Sequence, residues 1–385
     1  MNVSGLNVSG VNIAPWFYPK TAPSNTRGNV AATNFRINNV DISGLYTKLG
    51  TNSKFSVSSV HTINYFYNNV SIGTLFELNL PDFSNNIDEH YKIWTPAPAK
   101  HNGLLIQFLK STSISFKYNI SGSFAMVGGG GRGGNPNDGN AGGGGGAGQL
   151  ITGNIRSFPK NTSFTITIGG GGDNNSNDGD NTIISYPSGS STISVTAAGG
   201  TAGGIGKGSS NSSAFASTGG TGSYTTGVPT VGIVTENLPA QIGGDNFVTN
   251  KGVFRGMDTF ANQGSLGGDQ NNGTGGGGGG GGAGGAGVFG GNAGVGTGGV
   301  GKTISFGSTN FNLAGGGGGG GRGDNAGNGG DGGTGGGGDG GTNGNNAGNG
   351  GANTGGGGGG GSNDGGSGGL GGSGTVVLYI TEVAL

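Results

Sequence analysis

Cysteine is absent from this chain, and proline, histidine and charged residues are scarce. Without cysteine there is no disulfide, no thiolate metal site and no cysteine nucleophile. Only 11 prolines occur among 385 residues, which excludes the proline-rich Gly-X-Y triplets of collagen. The 17 basic and 18 acidic residues nearly balance, at a net charge of −1, so we expect no basic surface that attracts nucleic acid or anionic lipid.

Long apolar runs are also missing. No stretch approaches the roughly 18 apolar residues of a membrane-spanning helix, so no membrane insertion is expected. Residues 1–20 have neither a basic start nor an apolar core, so no secretory signal is expected there. These features predict a virion protein released by lysis, or an extracellular protein that is exported by another route.

Glycine is in large excess, at 103 residues against an average share of about 7%. It is concentrated at residues 128–148, 273–301 and 315–374. Glycine loses more conformational freedom on folding than any other residue, so a flexible linker is the simplest interpretation of each tract. Order is favoured instead because apolar, β-type runs alternate with the tracts, and because the tracts contain short repeats. The repeats are AGNGG at residues 326–330 and 347–351, and DGGT at residues 331–334 and 339–342.

A non-glycine residue recurs at a spacing of three inside these repeats, and polyproline II geometry has three residues per turn. Without a Cβ, neighbouring glycine rods approach closely enough for N–H···O=C bonds between rods, aided by weak Cα–H···O contacts. We therefore predict an all-β N-terminal region followed by a bundle of polyglycine II rods. β-Hairpins interrupt this bundle, and almost no α-helix is expected.

Three parts are expected along the chain. Residues 1–120 form a β-rich assembly or docking domain, with period-2 alternation at residues 113–118, a turn at Asn68-Asn69 and room for a short helix only within residues 80–94. Residues 121–374 form the glycine-rich domain. Residues 375–385 form a closing β-strand, an apolar run that needs a folded partner.

The glycine-rich domain is expected to contain β-hairpin inserts at residues 149–198 and 303–313. In the first insert, a hairpin is predicted to turn at Pro159-Lys160-Asn161, and a second hairpin spans residues 182–198. Rods that pack side by side need turns to connect them and strands to cover their ends.

Three phrases in this part of the chain carry a resemblance to known proteins. They are SFAMVGGGGRGG at residues 123–134, FTITIGGGGDN at residues 164–174 and GGSGTVVLYI at residues 371–380. Their order resembles the glycine-rich domain of tailed-phage fibre-tip adhesins and of structural proteins of giant DNA viruses. NFRINNVDISGLYTKLG at residues 34–50, echoed by NYFYNNVSIGTLFEL at residues 64–78, looks like a phrase of viral fibre proteins. The resemblance implies polyglycine II helices and a virion structural or host-attachment role.

Two short motifs match the residue patterns of known binding sites but lack the structural context that those sites need. GTGGVGKT at residues 296–303 fits the P-loop pattern, but β-type sequence follows where a helix N-terminus would have to face the phosphates. Arg322-Gly323-Asp324 spells an integrin-type tripeptide, for which a solvated charge pair is the simpler interpretation. We therefore expect neither nucleotide binding nor receptor binding from these motifs.

Metal binding and catalysis have little support. Asp173, Asp178 and Asp180 lie in an oxygen-rich segment that lacks the spacing of a calcium loop, so a polar turn is expected and a loose Ca²⁺ site is the alternative. The histidines, His61, His90 and His101, have no partner at metal-ligand spacing. No catalytic grouping of side chains stands out, and the chain is expected not to be an enzyme.

The function expected from these features is self-assembly into a fibre or filament, as a homo-oligomer that is a trimer or a helical filament. Partners are other copies, other virion proteins or a host surface receptor. Residues 375–385 are expected to form an edge strand that completes a neighbour's sheet, through Val376, Val377, Leu378, Tyr379 and Ile380. Candidates for a receptor surface, or for packing against rod ends, are Phe215, Tyr224, Phe247, Phe254 and Phe260. A microbial matrix filament and an ice-binding protein stay open as alternatives.

Overall fold

The fold was obtained as a computed structural model, and nineteen strands make up its regular elements in the described part of the chain. The described residues are 90–94, 104–137, 140–174, 178–205, 252–261, 276–290, 296–321 and 328–384, with short strands before residue 80. In these ranges no helix has the length and apolar content needed to cross a membrane. The prediction of an all-β chain with almost no α-helix is confirmed for the described residues.

The strands are β1 (Asn7–Val8), β2 (Val11–Asn12), β3 (Arg36–Ile37), β4 (Val40–Asp41), β5 (Phe66–Tyr67), β6 (Val70–Ser71), β7 (Phe76–Asn79), β8 (Tyr91–Trp94), β9 (Leu104–Phe108), β10 (Thr112–Phe116), β11 (Asn119–Val127), β12 (Leu150–Phe158), β13 (Ser163–Thr167), β14 (Thr182–Ser188), β15 (Ser191–Ala197), β16 (Phe254–Phe260), β17 (Lys302–Phe306), β18 (Thr309–Leu313) and β19 (Thr375–Ala384).

The chain divides into two compact units, Met1–Gly73 and Thr74–Leu385. In the first unit the described strands form three separate antiparallel pairs, β1 with β2, β3 with β4 and β5 with β6. The pair β5–β6 lies on either side of the turn predicted at Asn68-Asn69. In residues 80–94, where a short helix had room, His90 is helical and Tyr91–Trp94 is a strand, and residues 80–89 lie outside the described residues.

The second unit contains two antiparallel sheets that face each other. One has six strands in the order β16-β12-β11-β19-β9-β8, and the other has five in the order β15-β14-β13-β10-β7. The ring of Phe158 on the first sheet stacks on Phe164 of the second, with centroids 3.5 Å apart. Tyr186 and Phe254 meet edge to face across the same interface at 5.9 Å. Aromatic side chains therefore form the core between the sheets.

Alternating burial explains how β10 joins this core. Ile114 and Phe116 are fully buried, whereas Ser113 and Ser115 between them are half-exposed. This is the period-2 pattern of a strand with one face in the core, which confirms the alternation predicted for residues 113–118 as far as Phe116, where β10 ends.

The hairpin β17–β18 packs on the opposite face of the six-stranded sheet. Phe306 of this hairpin lies 5.7 Å from Tyr379 of β19, ring centroid to centroid. Val127 and Val377 are buried in the same apolar cluster. The six-stranded sheet is thus covered on both faces, which is why all five residues of β9 are buried.

Two expectations about chain organisation are corrected. The boundary after residue 120 falls inside β11, and β7 and β10 share a sheet with β13–β15, so the strands before and after it form one unit. The predicted hairpin around Pro159 does not form, because the strands on its two sides belong to different sheets. β12 pairs with β11 and β16, whereas β13 pairs with β10 and β14. At Pro159 the chain therefore crosses from one sheet to the other. The hairpins β14–β15 and β17–β18 form within the other predicted ranges.

Candidate functional site

Glycine segments adjoin the strands of both sheets at the same end of each sheet, where the chain enters or leaves the strands. Val127 at the end of β11 pairs with Leu150 at the start of β12 and with Thr375 at the start of β19. In the other sheet, Thr182 at the start of β14 pairs with Ala197 at the end of β15. Because these strand ends are in register, the glycine segments attached to them leave the sheets side by side.

The segments bond to one another through the backbone with a period of three. Residues 128–134 donate to the antiparallel segment 143–149, from Gly128 to Gln149, Gly131 to Gly146 and Gly134 to Gly143, at N···O distances of 3.1, 2.8 and 2.8 Å. Residues 315–321 donate to the parallel segment 335–341, from Gly315 to Gly335, Gly318 to Gly338 and Gly321 to Gly341, at 3.0, 2.9 and 2.9 Å. Every third N–H group therefore points to the same neighbour.

The inner segments have six hydrogen-bonded neighbours each. Residues 128–134 donate to 143–149, to 369–372 and to Asp180, and they accept from Gly172, 200–203 and 358–361. Residues 314–321 and 355–363 are surrounded in the same way. Backbone donors and acceptors that have no place in a sheet are thus satisfied by other glycine segments.

Close approach is what requires glycine in these segments. A Cβ placed on Gly357 would collide with the carbonyl oxygen of Gly145, and one on Gly317 would collide with the carbonyl oxygen of Gly358. In both cases the obstacle is the backbone of a neighbouring segment, which cannot move without breaking its own hydrogen bonds. The inner segments therefore have no room for a side chain at these positions.

At the outside of the array, side-chain oxygens replace the missing neighbour. Asp339 Oδ1 accepts from the Gly332 N–H at 2.8 Å, and Thr342 Oγ1 accepts from the Gly329 N–H at 2.6 Å. Asn349 Oδ1 likewise accepts from the Leu370 N–H at 2.9 Å. Asp339 and Thr342 are the ends of the second DGGT repeat, and they bond to the segment that carries the first repeat. The second DGGT repeat thus caps the backbone of the segment that carries the first.

Removing one such cap has a measurable consequence. Thr342→Val deletes the hydroxyl but keeps the side-chain shape, so the Gly329 N–H loses its acceptor. We expect the free energy of unfolding to fall by about 1 kcal/mol. Thr342→Ser keeps an oxygen at the same place and should retain most of the stability in urea denaturation. A loss in Thr342→Ser without a loss in Thr342→Val would show that the methyl group, and not the hydrogen bond, matters.

Of the five aromatic residues predicted for a receptor surface or for packing against rod ends, two lie in the described part of the chain. Phe215, Tyr224 and Phe247 lie outside the described residues. Phe254 is fully buried between the two sheets, which corrects its assignment as receptor-facing. Phe260 is half-buried, and the ammonium nitrogen of Lys302 lies 3.9 Å from the centroid of its ring. Both described aromatics therefore pack within the unit.

The strand predicted for assembly lies in the middle of a sheet. Residues Val376 to Ile380 of β19 pair with β11 on one side and with β9 on the other. Both hydrogen-bonding edges are therefore occupied within the chain. This corrects the expectation that residues 375–385 form an edge strand that completes a neighbour's sheet.

The P-loop match and the Arg-Gly-Asp tripeptide differ in how much of each the structure describes. Residues 296–301 of the P-loop match belong to a glycine segment, and Lys302 and Thr303 begin β17, so a strand follows the motif. The tripeptide at residues 322–324 lies outside the described residues. In a P-loop the lysine contacts the bound phosphates, whereas the ammonium group of Lys302 lies over the ring of Phe260.

In the structure, the segment suggested for calcium binding accepts hydrogen bonds from the backbone N–H groups of neighbouring glycine segments. Asp178 Oδ1 accepts from the Ala202 N–H at 2.7 Å, and the Asp180 carbonyl accepts from the Gly129 N–H at 2.9 Å. Asp173 also has a bonding partner. Across the residues that the structure describes, no group of three or more acidic, histidine or cysteine side chains is placed to hold a metal ion.

Two features of the array were not predicted. Gln149 is fully buried where a glycine segment meets β12, and its Oε1 accepts from the Ala198 N–H at 3.0 Å. Val288, Phe289 and Val300 lie exposed along one side of the array. The sequence signal for the second feature is Val288-Phe289, the one pair of adjacent large apolar residues within the tract 273–301.

Comparison with known proteins gives no relative: no family model, no curated protein and no solved structure matches the chain. The function proposed next therefore rests on the chain's own residues and contacts.

Proposed function

We propose that the glycine segments are polyglycine II rods packed side by side. A helix with three residues per turn turns every third N–H group to the same side, which accounts for the spacing of three in the bonds between segments. Six neighbours around an inner segment are what hexagonal packing of such rods provides. At about 3.1 Å per residue, residues 128–134 would form a rod of roughly 20 Å.

We infer further that the protein is a non-enzymatic structural protein of a fibre or filament. The observation that carries this inference is the six-neighbour array, in which backbone groups of one segment are fixed by several others. Hydrogen bonds to neighbours in every lateral direction make such an array stiff. The array therefore holds its two ends at a fixed distance and orientation. A stiff body that is attached to a β-sandwich suits a stalk or tip, in a viral fibre, a capsid-associated protein or a host-attachment protein.

For attachment, the turns at the far end of the array replace the aromatic residues as the proposed contact surface. The segments reverse there through polar turns, such as the one closed by the Asn345 N–H and the Thr342 carbonyl at 2.9 Å. Asn343 and Gly344 in this turn have φ of 46° and 77°, the left-handed region that asparagine and glycine favour. Residues 343–346 are exposed, so the side-chain amides of Asn343 and Asn345 are available to a partner.

Electron microscopy together with circular dichroism tests the proposal. We expect negatively stained, purified protein to show uniform fibres, and its circular dichroism spectrum to contain a polyproline-II-type component that melts cooperatively. Cooperative melting is expected because the rods are bonded to one another and to the sheets. Monomers that cause thermal hysteresis would favour ice binding instead, and a gradual loss of the signal would contradict packed rods.

A further inference from the structure

One side of the glycine array is apolar. Val288, Phe289 and Val300 are 51%, 48% and 50% exposed, and they make up three of the five large hydrophobic side chains exposed in the described residues. They lie on two neighbouring segments, since the Val288 N–H donates to the Thr297 carbonyl at 2.8 Å. Neither 276–290 nor 296–301 contains a charged residue. We call residues 285–290 and Val300 the apolar edge.

Among the residues that the structure describes, the backbone of the apolar edge is bonded on one side only. Residues 285–290 are bonded to the segments 276–284 and 296–301, whereas the inner segments have six neighbours. Within the described residues, Val288 is the only one of residues 285–290 whose N–H donates to a backbone carbonyl, so the N–H groups of Ala286 and Phe289 have no backbone acceptor. These two residues are three apart, so in a helix of three residues per turn their N–H groups point the same way.

We propose that the apolar edge binds a glycine segment of a second copy of this chain. Donors three residues apart need acceptors at the same spacing, and a glycine segment presents carbonyl groups at that spacing without a Cβ in the way. Burial of Val288 and Phe289 against the partner adds the apolar contribution. Because this edge has no charge, two copies approach without electrostatic repulsion.

The contact is heterologous, with the apolar edge of one copy on a different segment of the next. Within the array, each pair of neighbouring segments is bonded in one direction, as where 128–134 donates three bonds to 143–149 and accepts none from it. The reverse bonds, from Gly284 to Val300, from Gly355 to Ser373 and from Ala314 to Thr354, lie next to turns. A two-fold contact would need donation in both directions, so the addition of copies continues into a filament or a ring.

This inference rests on the proposed function, namely self-assembly, and specifies its interface. Two variants of the full chain test it by sedimentation velocity over a range of concentrations. Ala286→Pro removes one donor N–H, and the φ of proline suits a polyproline II segment. Phe289→Asp places a charge on the apolar edge. Leu370→Asp is the matched control, because Leu370 is exposed elsewhere on the array and its N–H is already bonded to Asn349.

We expect Ala286→Pro and Phe289→Asp to raise the concentration needed for assembly by about tenfold or more. Their melting temperatures, measured at concentrations where all the proteins are monomeric, should equal that of the parent. Leu370→Asp should assemble as the parent does. Assembly of both edge variants at the parental concentration overturns the inference and leaves self-assembly standing. A parent that stays monomeric contradicts the proposed function itself, and a species that stops at the dimer contradicts the heterologous contact.

Discussion

Gly357→Ala is expected to lower the free energy of unfolding by about 3 kcal/mol, although it adds a single methyl group. The new Cβ would collide with the carbonyl oxygen of Gly145, which accepts a hydrogen bond from Gly317. Gly357 itself donates to Gly315 and accepts from Gly338, both at 2.9 Å, so no side of the residue is free to move. Urea denaturation followed by circular dichroism measures the change.

Gly170→Ala is the control for this prediction. Gly170 also lies in a glycine segment, but it is exposed, and the nearest atom to an added Cβ is Asp180 Oδ2 at 3.2 Å, the end of a flexible side chain. We expect a change within about 0.5 kcal/mol in this variant. If the two substitutions had equal effects, close packing of the segments would not be the reason for glycine, and the rod array would be in doubt.

Phe164→Ala is expected to destabilise the second unit by about 4 kcal/mol. Phe164 is fully buried between the sheets, stacked on Phe158, and its ring lies 5.8 Å from that of Tyr186. Removing it leaves a cavity in the interface that joins the two sheets. Since the glycine segments start from strands of both sheets, we expect the glycine array to unfold with the sandwich in one transition.

Phe164→Leu distinguishes lost volume from a general intolerance of this site. It keeps a large apolar side chain and loses the stacked ring, so a loss of about 1 kcal/mol is expected. Thermal unfolding, followed both at a β-sheet wavelength and at a polyproline II wavelength, tests the coupling. Two separate transitions would show that the sandwich and the glycine array are stable independently.

Local patterns in the sequence predicted those parts of the fold that depend on neighbouring residues. The alternation Ser113-Ile114-Ser115-Phe116 predicted β10, because a strand with one buried face needs an apolar residue at every second position. The spacing of three in the glycine repeats predicted side chains at every third position, and Asp339 and Thr342 are placed accordingly as caps. The hairpin of residues 182–198 was readable from two β-type runs around a Ser-Gly turn.

Pairings between distant residues were not readable in this way. Pro159-Lys160-Asn161 has the composition of a hairpin turn, yet β12 and β13 belong to different sheets, because Phe158 and Phe164 face each other across the core. The strand Val376–Ile380 was recognisable, but not its place between β11 and β9. The apolar edge was missed because the pair Val288-Phe289 does not show, in sequence, whether other segments cover it or leave it exposed.

The sequence by itself thus determined an all-β chain with little α-helix and glycine segments that continue its strands, since composition and short periods act through local backbone geometry. The tertiary structure alone decided which segments are inner and which are outer. Residues 128–134 and 285–290 are both glycine-rich, yet among the described residues the first has six bonded neighbours and the second has two. The difference arises because a glycine segment has no side chains to specify a partner, so its neighbours are set by the strands from which the segments emerge.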